Sequence, residues 1–286
     1  MTGVALPAPF GLSFMQHALE AGVIVGVFAP LIGTFLVQKR LSLIGDGVGH
    51  VAFAGVAAGL LFRGDPGSIV PVWSALAFSV AGALGVDRLR ARRTASGDLA
   101  LALFFYSGIA LGVVLVSLGP GLNANILSYL FGQPLTVTTQ EVALIVGLGV
   151  VITVAMLLLR RVLFAVVTDE DWSSVAGLPV STLNSLLAVL TACAIVAAMR
   201  IVGILLIAAL MVLPVASAQL LARSFRGTLA WAVAVGVGSV VAGLAASWYL
   251  NIAPSGAIVL AAALVFAGVS IAKRAAPRAL RQEEHA

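Results

Sequence analysis

Two residues in the first fifth of the chain carry side chains that can bind a divalent cation together. Asp46 and His50 lie four positions apart in the stretch LSLIGDGVGHVAFAGVAAGLL. On an α-helix this spacing places both side chains on one face. A carboxylate and an imidazole so placed can both contact one metal ion, and Gly45, Gly47 and Gly49 keep neighbouring bulk away. The pattern predicts metal or proton handling.

The same pattern also has a purely structural explanation. In it, Asp46 caps a helix that starts near Ser42, and His50 is its hydrogen-bonded partner. Two ligands are fewer than the four of a tight structural zinc site. A pathway that must release its cargo needs such a weak site. The residues alone leave both explanations open.

A second acid lies near the start of the first apolar segment. Glu20 follows His17 by three positions, so a helix places the two side chains on one face. This pair predicts a further metal contact, Glu20, at an external mouth. The alternative is an interfacial acid that the positive N-terminal end of the helix favours.

A polar stretch, 168–179, interrupts the apolar pattern with the sequence TDEDWSSVAGLP. Its acids suit the N-terminal turn of a short helix, and a Gly-Leu-Pro sequence ends that helix. Trp172 either anchors the helix at the membrane interface or serves as the aromatic anchor of a docking helix for a cytosolic partner.

The composition decides the class of protein that must position these residues. Hydrophobic residues make up 61% of the 286 residues, charged residues make up 9%, and Cys193 is the single cysteine. About 25% charged residues is usual for a soluble domain. The chain is therefore neither a cytosolic enzyme nor a disordered chain, nor a nucleic-acid binder despite its net charge of +5. It is predicted to be an all-α, polytopic helical membrane protein.

A membrane-spanning helix needs roughly 20 mostly apolar residues, and the chain offers nine such segments. They fill most of residues 1–286, which predicts a single transmembrane domain. The segment 123–134 is too short to cross and is predicted to be an interfacial or re-entrant helix. The predicted spans are 17–38, 43–62, 69–86, 99–118, 140–159, 181–199, 201–222, 228–249 and 255–272.

The basic residues predict an orientation. With nine spans and the C-terminus inside, the inside loops hold fourteen Lys and Arg residues, and the outside loops hold Arg63 and Arg200. The positive-inside rule then places the N-terminus outside. Residues 1–16 carry no Lys or Arg, so we expect the first helix to be retained rather than cleaved as a signal peptide.

Small-residue pairs predict how the spans associate. A spacing of four between glycines lets two helix backbones approach closely, so we expect tightly packed helices. These pairs are Gly22/Gly26, Gly45/Gly49, Gly55/Gly59 and Gly108/Gly112.

The absence of two sequence motifs argues against ATP binding by this chain and against metalloprotease activity. The chain has no G-x-x-x-x-G-K-[ST] loop to hold ATP phosphates and no H-E-x-x-H metalloprotease motif. Energy for transport must then come from an ion gradient or from a separate ATPase. One hypothesis is a proton-driven secondary transporter in which Asp46 and His50 relay protons. Another is a structural membrane subunit, in which neither residue affects any flux.

Four ordered motifs resemble those of a known family, the permeases of metal-ion ABC importers that move zinc, manganese or iron. The first contains Asp46 and His50, and the third contains Pro214, which we take as a pathway or packing residue together with Gly45 and Gly49. The motifs are RLSLIGDGVGHVAFAGVA at 40–57, ILSYLFGQPLTV at 126–137, AMRIVGILLIAALMVLPVASA at 198–218 and GLAASWYLNIAPSGAIVL at 243–260.

This resemblance implies partners and a location. Such permeases pair as homodimers in the cell membrane, bind two copies of a cytosolic ATPase that holds the ATP, and receive metal from an extracellular solute-binding protein. No tightly bound cofactor is implied. The stretch 168–179 matches the position of the family's coupling helix, and the implied ATPase-coupling residues are Asp169, Glu170, Asp171, Trp172 and Gly177.

The resemblance also implies the cargo. The Asp-x-x-x-His pair matches the family's metal contact, so two copies of Asp46 and His50 would supply four ligands at a dimer axis. The motif SYLFG-x-x-L-x-V is closer to zinc-type relatives, so zinc is expected before manganese or iron. Many relatives carry acids where this chain has Asn125 and Gln133, and Glu20 is a hypothetical replacement for them.

Overall fold

The computed structural model describes residues 12–63, 69–92, 97–119 and 123–275, and every regular element within these ranges is a helix. A 3₁₀ turn, Pro134–Thr136, separates the fifth and sixth α-helices. The α-helices are α1 Ser13–Gln38, α2 Ile44–Arg63, α3 Val70–Ala91, α4 Gly97–Leu118, α5 Asn123–Phe131, α6 Thr139–Thr168, α7 Glu170–Val175, α8 Val180–Ala198, α9 Ile204–Leu221, α10 Phe225–Leu250 and α11 Pro254–Ala275.

Nine of the helices in the described ranges are long and apolar enough to cross a membrane, which confirms the nine predicted spans. The clearest difference is α6, which continues to Thr168 instead of ending near 159. Arg160 and Arg161 do not end it because arginine is a good helix former and an apolar stretch follows. At 1.5 Å per residue, α6 is about 45 Å long and exceeds a hydrocarbon core of about 30 Å.

The spanning helices alternate in direction and define two ends of the bundle. The α7 end is where α1, α3, α6, α9 and α11 finish and where α2, α4, α8 and α10 begin. The opposite end carries α5, whose nine residues confirm a short helix within 123–134. Asp46 and α7 therefore belong to the same end.

Two helices form the interior of the bundle. Helix α1 packs against α6, α8, α9 and α10, and α2 packs against α3, α4, α8 and α9. Fully buried side chains such as Phe28, Ile32 and Phe35 fill the centre of α1. Helices α4 and α11 instead leave most of their surface outside the fold.

Close glycine contacts confirm the predicted packing. A Cβ atom at Gly26 would lie 3.1 Å from the backbone of Gly236, so α1 and α10 approach almost backbone to backbone. Gly55 and Gly59 contact α3 in the same manner. At Gly108, an added Cβ atom would lie 2.8 Å from the carbonyl carbon of His50, so the backbone of α4 packs against α2 at His50.

Candidate metal pathway and coupling site

A tight corner leads from α1 into α2. Arg40 adopts a left-handed backbone conformation with φ 57°, and Leu41 N–H donates to the Leu36 carbonyl oxygen at 2.8 Å. Together with the Arg40 N–H bond to Val37, this is the Schellman ending of a helix. The chain then begins α2 at Ile44, so Asp46 falls in the first turn.

The two faces of α2 have different neighbours near this corner. Gly45 and Gly49 face α9, where added Cβ atoms would lie 3.1 Å from Ala208 and 3.4 Å from Ile204. Gly47 faces Leu101 of α4. The glycines thus let α2 lie close to both neighbours, while Asp46 and His50 keep half-exposed side chains.

A cavity of about 330 Å³ lies beside Asp46 between α2 and α4. An acid that the sequence analysis missed, Asp98, lines it from the first turn of α4. A signal for this residue did exist, because the Gly-Asp pair at 97–98 repeats the pair at 45–46 at the start of a helix from the same end. The remaining lining residues are Leu43, Gly47, Leu101, Ala102, Phe105 and Tyr106.

Two aromatic residues of α4 line this cavity, and one of them contacts His50. The His50 and Phe105 rings meet edge to face, with centroids 4.5 Å apart and an interplanar angle of 77°. Phe105 in turn meets Tyr106, with centroids 5.2 Å apart. Neither aromatic was predicted from the sequence, because the position of both rings depends on how α4 is rotated against α2.

Across the described residues, the side chains of Asp46 and His50 make no hydrogen bond or ion pair. Asp46 does lie in the first turn, as the structural explanation predicted, but His50 is not its hydrogen-bonded partner. The described part of one chain holds no group of three or more His, Cys, Asp or Glu residues that could bind a metal ion.

Glu20 is in a different part of the fold. It lies exposed on α1, eighteen residues or about 27 Å from the α7 end of that helix. His50 is six residues, or about 9 Å, from the start of α2 at the same end. The structure therefore does not bring Glu20 to the Asp46–His50 pair, and its role at a mouth stays a prediction.

The stretch 168–179 forms the short helix α7. The Asp169 carboxylate accepts a hydrogen bond from the Trp172 N–H at 2.9 Å and so caps its start. Gly177, with φ 81°, follows its end, and the Leu178 N–H donates to the Ser173 carbonyl at 3.0 Å. Asp171 and Trp172 point to solvent, whereas Ser173 is buried.

Glu170 ties α7 to the bundle. Its Oε1 atom lies 2.6 Å from the Lys39 Nζ atom and accepts a hydrogen bond from Asn184 Nδ2 at 3.3 Å. Burial alone would raise the pKa of Glu170, but the Lys39 contact, Asn184 and the charge of Arg90 lower that pKa below its ordinary value. Glu170 therefore carries a negative charge at neutral pH.

Pro214 is buried inside α9 and has no N–H to donate to the preceding turn. One turn earlier, the backbone of Met211 is in direct contact with Gly33 of α1. Helix α9 thus lies between α1 and the Gly45 face of α2. These contacts support a packing role for Pro214 rather than a role in the pathway.

The opposite end holds an ion pair that the sequence analysis did not predict. Arg200 Nε lies 2.7 Å from Glu141 Oε1, and the guanidinium lies 4.9 Å from the Tyr129 ring centroid. Burial raises the pKa of Tyr129 despite the opposing charge of Arg200. Gln133 N–H donates to the Arg200 carbonyl oxygen at 3.0 Å, while the side chain of Asn125 lies outside the described residues.

A model of the ABC 3 transport family matches residues 11–273, which is most of the chain. The chain belongs to the ABC 3 transport family. Membership confirms the predicted multi-pass membrane location and a transport subunit rather than an enzyme.

Named relatives of this ABC 3 family chain are membrane subunits of metal transport systems. The manganese import system permease protein ScaB of Streptococcus gordonii is 28% identical, with 88% of this chain and 89% of ScaB covered. The zinc uptake membrane protein ZnuB of Haemophilus influenzae is 27% identical, with 90% and 96% covered. These relatives confirm the resemblance to metal-ion ABC importer permeases.

The fold of this family member is also similar to a solved structure. The complex PsaBC from Streptococcus pneumoniae with a Fab contains a chain that superimposes with a TM-score of 0.80. That chain is 28% identical, and the match covers 90% of this chain and 91% of the other. The all-helical architecture is therefore shared with a chain of the PsaBC complex.

Proposed function

We propose that this chain is the permease subunit of an ATP-driven importer of divalent metal ions, with Asp46 and His50 as the cargo contacts. One observation carries the proposal: within the described structure, the Asp46 carboxylate lines a cavity and the His50 imidazole lies one turn further along the same face of α2, and neither group makes a hydrogen bond or ion pair. Partly enclosed ionisable groups in a membrane helix are costly unless they serve a function. In a chain of an ABC transport family, contact with the transported ion is a function that accounts for these groups.

The chemistry of the pair supports a first-row transition metal. Imidazole nitrogen and carboxylate oxygen both bind zinc, manganese and ferrous iron. Zinc binds such a donor set more tightly than manganese does, so zinc is the first expectation and manganese the second. The relatives ScaB and ZnuB are named for manganese and zinc respectively, and both cargoes are compatible with this donor set.

A homodimer would complete the site. One chain supplies two ligands, and a second copy related by a twofold axis would supply the same two again. Helix α4, which forms the far wall of the cavity, leaves most of its surface uncovered in the single chain. The exposed side chains there include Leu103, Tyr106, Leu111, Val113 and Val114. A second copy packed on this face would enclose the Asp46 cavity.

We infer that the α7 end is cytoplasmic. Of the basic residues that the sequence assigns to the inside loops, those within the described ranges lie at this end, in agreement with the positive-inside rule. Helix α7 exposes the apolar side chains of Trp172 and Val175 there, which suits docking of two cytosolic ATPase copies. The opposite end would then receive metal from a solute-binding protein.

Uptake in cells tests this function against the proton-driven alternative. Cells lacking their own zinc and manganese importers would express the chain with its ATPase and binding protein, and uptake of radioactive zinc and manganese would be measured. We expect uptake that requires a hydrolysis-competent ATPase and is lost in His50→Ala. Uptake that survives an inactive ATPase and follows the proton gradient would contradict the proposal.

A further inference from the structure

The α1–α2 corner contains a lysine whose side chain is almost completely enclosed. The chain has two lysines, Lys39 and Lys273, and the Lys39 side chain is 5% exposed. Removing an ammonium group from water is costly unless partners compensate for the lost hydration. Such a residue therefore depends on its partners, and those partners belong to other helices.

The partners of Lys39 come from two different helices. Its Nζ atom lies 2.6 Å from Oε1 of Glu170 in α7 and donates to Oδ1 of Asn184 in α8 at 2.5 Å. Asn184 Nδ2 donates to the same Glu170 oxygen at 3.3 Å. The three side chains form a closed triangle, called here the Lys39 triangle, in which Lys39 of α1, Glu170 and Asn184 each contact the other two.

The corner connects this triangle to the metal-contact helix over a few residues. Lys39 is the C-cap of α1, and Arg40 in its left-handed conformation reverses the chain. Leu41 and Ile44 are both buried, and the Ile44 N–H donates to the Leu41 carbonyl at 3.0 Å. Asp46 follows two positions later. The link from Lys39 to the first turn of α2 is therefore short and is held by backbone hydrogen bonds to α1 and within the corner.

Helix α7 is otherwise mostly exposed. Its Asp171, Trp172 and Val175 side chains face solvent, whereas Ser173 is buried and has no hydrogen-bond partner for its hydroxyl within the described structure. Glu170 is therefore the charged connection between α7 and the rest of the bundle. Attraction between opposite charges falls off only slowly when the pair is partly enclosed.

We propose that Lys39 is a positioning residue of the transport cycle: through Glu170 and Asn184 it passes the movement of α7 to the α1–α2 corner and so to Asp46 and His50. This inference rests on the proposed function, because it assigns α7 the role of receiving ATPase movement. It adds a route of defined residues between that helix and the cargo contacts. A purely structural Lys39 would support folding without affecting the number of metal ions moved per ATP.

The coupling ratio distinguishes these roles. The permease would be reconstituted in liposomes with its ATPase and binding protein, and zinc uptake and ATP hydrolysis would be measured on the same sample. In Lys39→Met and in Glu170→Gln we expect the ratio of zinc to ATP to fall by roughly tenfold, the scale of a typical coupling between sites. The double variant should be no worse than either single variant, because both remove one interaction.

Lys273 provides the matched control. It is the other lysine at the α7 end and donates to the Leu220 carbonyl at 2.9 Å, with no ion pair in the described structure. Lys273→Met removes the same charge and should leave the ratio unchanged. An unchanged ratio in Lys39→Met, or an equal fall in Lys273→Met, would overturn the proposal.

A distance measurement tests the triangle without requiring transport. Spin labels would be placed at Ser174 of α7, which is exposed, and at Ser42 in the α1–α2 corner, which is half-buried, in the full complex with Cys193 replaced by serine. In wild type we expect a narrow distance distribution whose mean shifts when ATP is added. In Lys39→Met we expect the distribution to broaden and the ATP-dependent shift to be lost. An identical distribution in both proteins would refute the route. Failure of wild-type uptake with an intact Lys39-dependent distance would instead refute the proposed function.

Discussion

The imidazole of His50 stands edge to face against the ring of Phe105, with centroids 4.5 Å apart. This contact fixes the plane of the imidazole that we propose as a cargo contact, with a side chain that binds no metal itself. Orientation of a ligand ring by its neighbours is part of how proteins tune metal affinity. The Phe105 ring should therefore influence metal capture without being a ligand.

Replacing Phe105 by leucine should weaken metal capture. An aromatic pair contributes about 0.5–1.5 kcal/mol beyond its buried area, which corresponds to a rise of roughly two- to tenfold in the KM for zinc uptake. The maximal rate should change less. The matched variant Phe104→Leu removes a ring of α4 that lies against Gly85 of α3 rather than against His50, and should leave KM close to wild type. Equal KM values in all three proteins would contradict this role.

Gly108 sets the distance between α4 and α2 behind His50. In Gly108→Ala, the new methyl group would meet the His50 backbone at 2.8 Å, so one helix must move away. We expect zinc uptake to fall several-fold while the complex still assembles. Gly147→Ala is the control, because nothing lies within 4 Å of the added carbon, and it should stabilise α6 by about 0.5–1 kcal/mol. Wild-type uptake in Gly108→Ala would show that this approach is unimportant.

The Arg200–Glu141 pair makes a stability prediction. Arg200→Met leaves a partly enclosed carboxylate without its partner, and Glu141→Gln leaves a guanidinium without its partner. Each should lower the free energy of unfolding by about 1–3 kcal/mol. The double variant should be less destabilised than the sum of the single variants, because it leaves no unpaired charge.

Thermal unfolding in detergent measures this interaction energy directly. Glu141→Gln is the informative single change because its amide can still accept the Thr138 N–H bond of the capping box, seen here at 2.9 Å. Additive losses in the double variant would mean that the ion pair contributes no coupling energy.

Glu170 predicts a dependence of stability on pH. Its pKa in the folded protein lies below the ordinary value of 4.5, because Lys39, Asn184 and Arg90 outweigh the effect of burial. The stabilising contribution is therefore present above pH 4.5 and is lost as the pH falls through the lowered pKa. The stability difference between wild type and Glu170→Gln should be constant near pH 7 and shrink below 4.5. A difference that grows on acidification would contradict the sign.

Hydropathy and spacing were sufficient for the spans and for the Asp46–His50 face, because both depend on local helical periodicity. The predicted end of α6 near residue 159 was wrong. Arg160 and Arg161 resemble the start of a loop, although arginine is tolerated where a helix leaves the membrane. The start and end of α7, near Asp169 and Gly177, could be predicted from the sequence because helix-ending signals lie within a few residues of the helix.

Contacts between helices that are distant in the sequence could not be predicted from the sequence. Lys39 and Glu170 are opposite charges that any sequence of this kind contains, and their pairing depends on how α1, α7 and α8 are placed. Asp98 had a local signal, but only the packing of α4 on α2 shows that it lines the same cavity as Asp46. Partner choice across helices requires rotation and tilt, which the spacing within one helix does not define.

The central claim is that Asp46 and His50 contact the metal in an ATP-driven pathway. The most direct test is radioactive zinc uptake by proteoliposomes that contain the permease, its ATPase and its binding protein, with ATP supplied on the ATPase side. Wild type should accumulate zinc only with hydrolysable ATP. Asp46→Asn and His50→Ala, assembled normally with the ATPase, should each lose at least about tenfold of that uptake. Wild-type uptake in either variant would contradict the account.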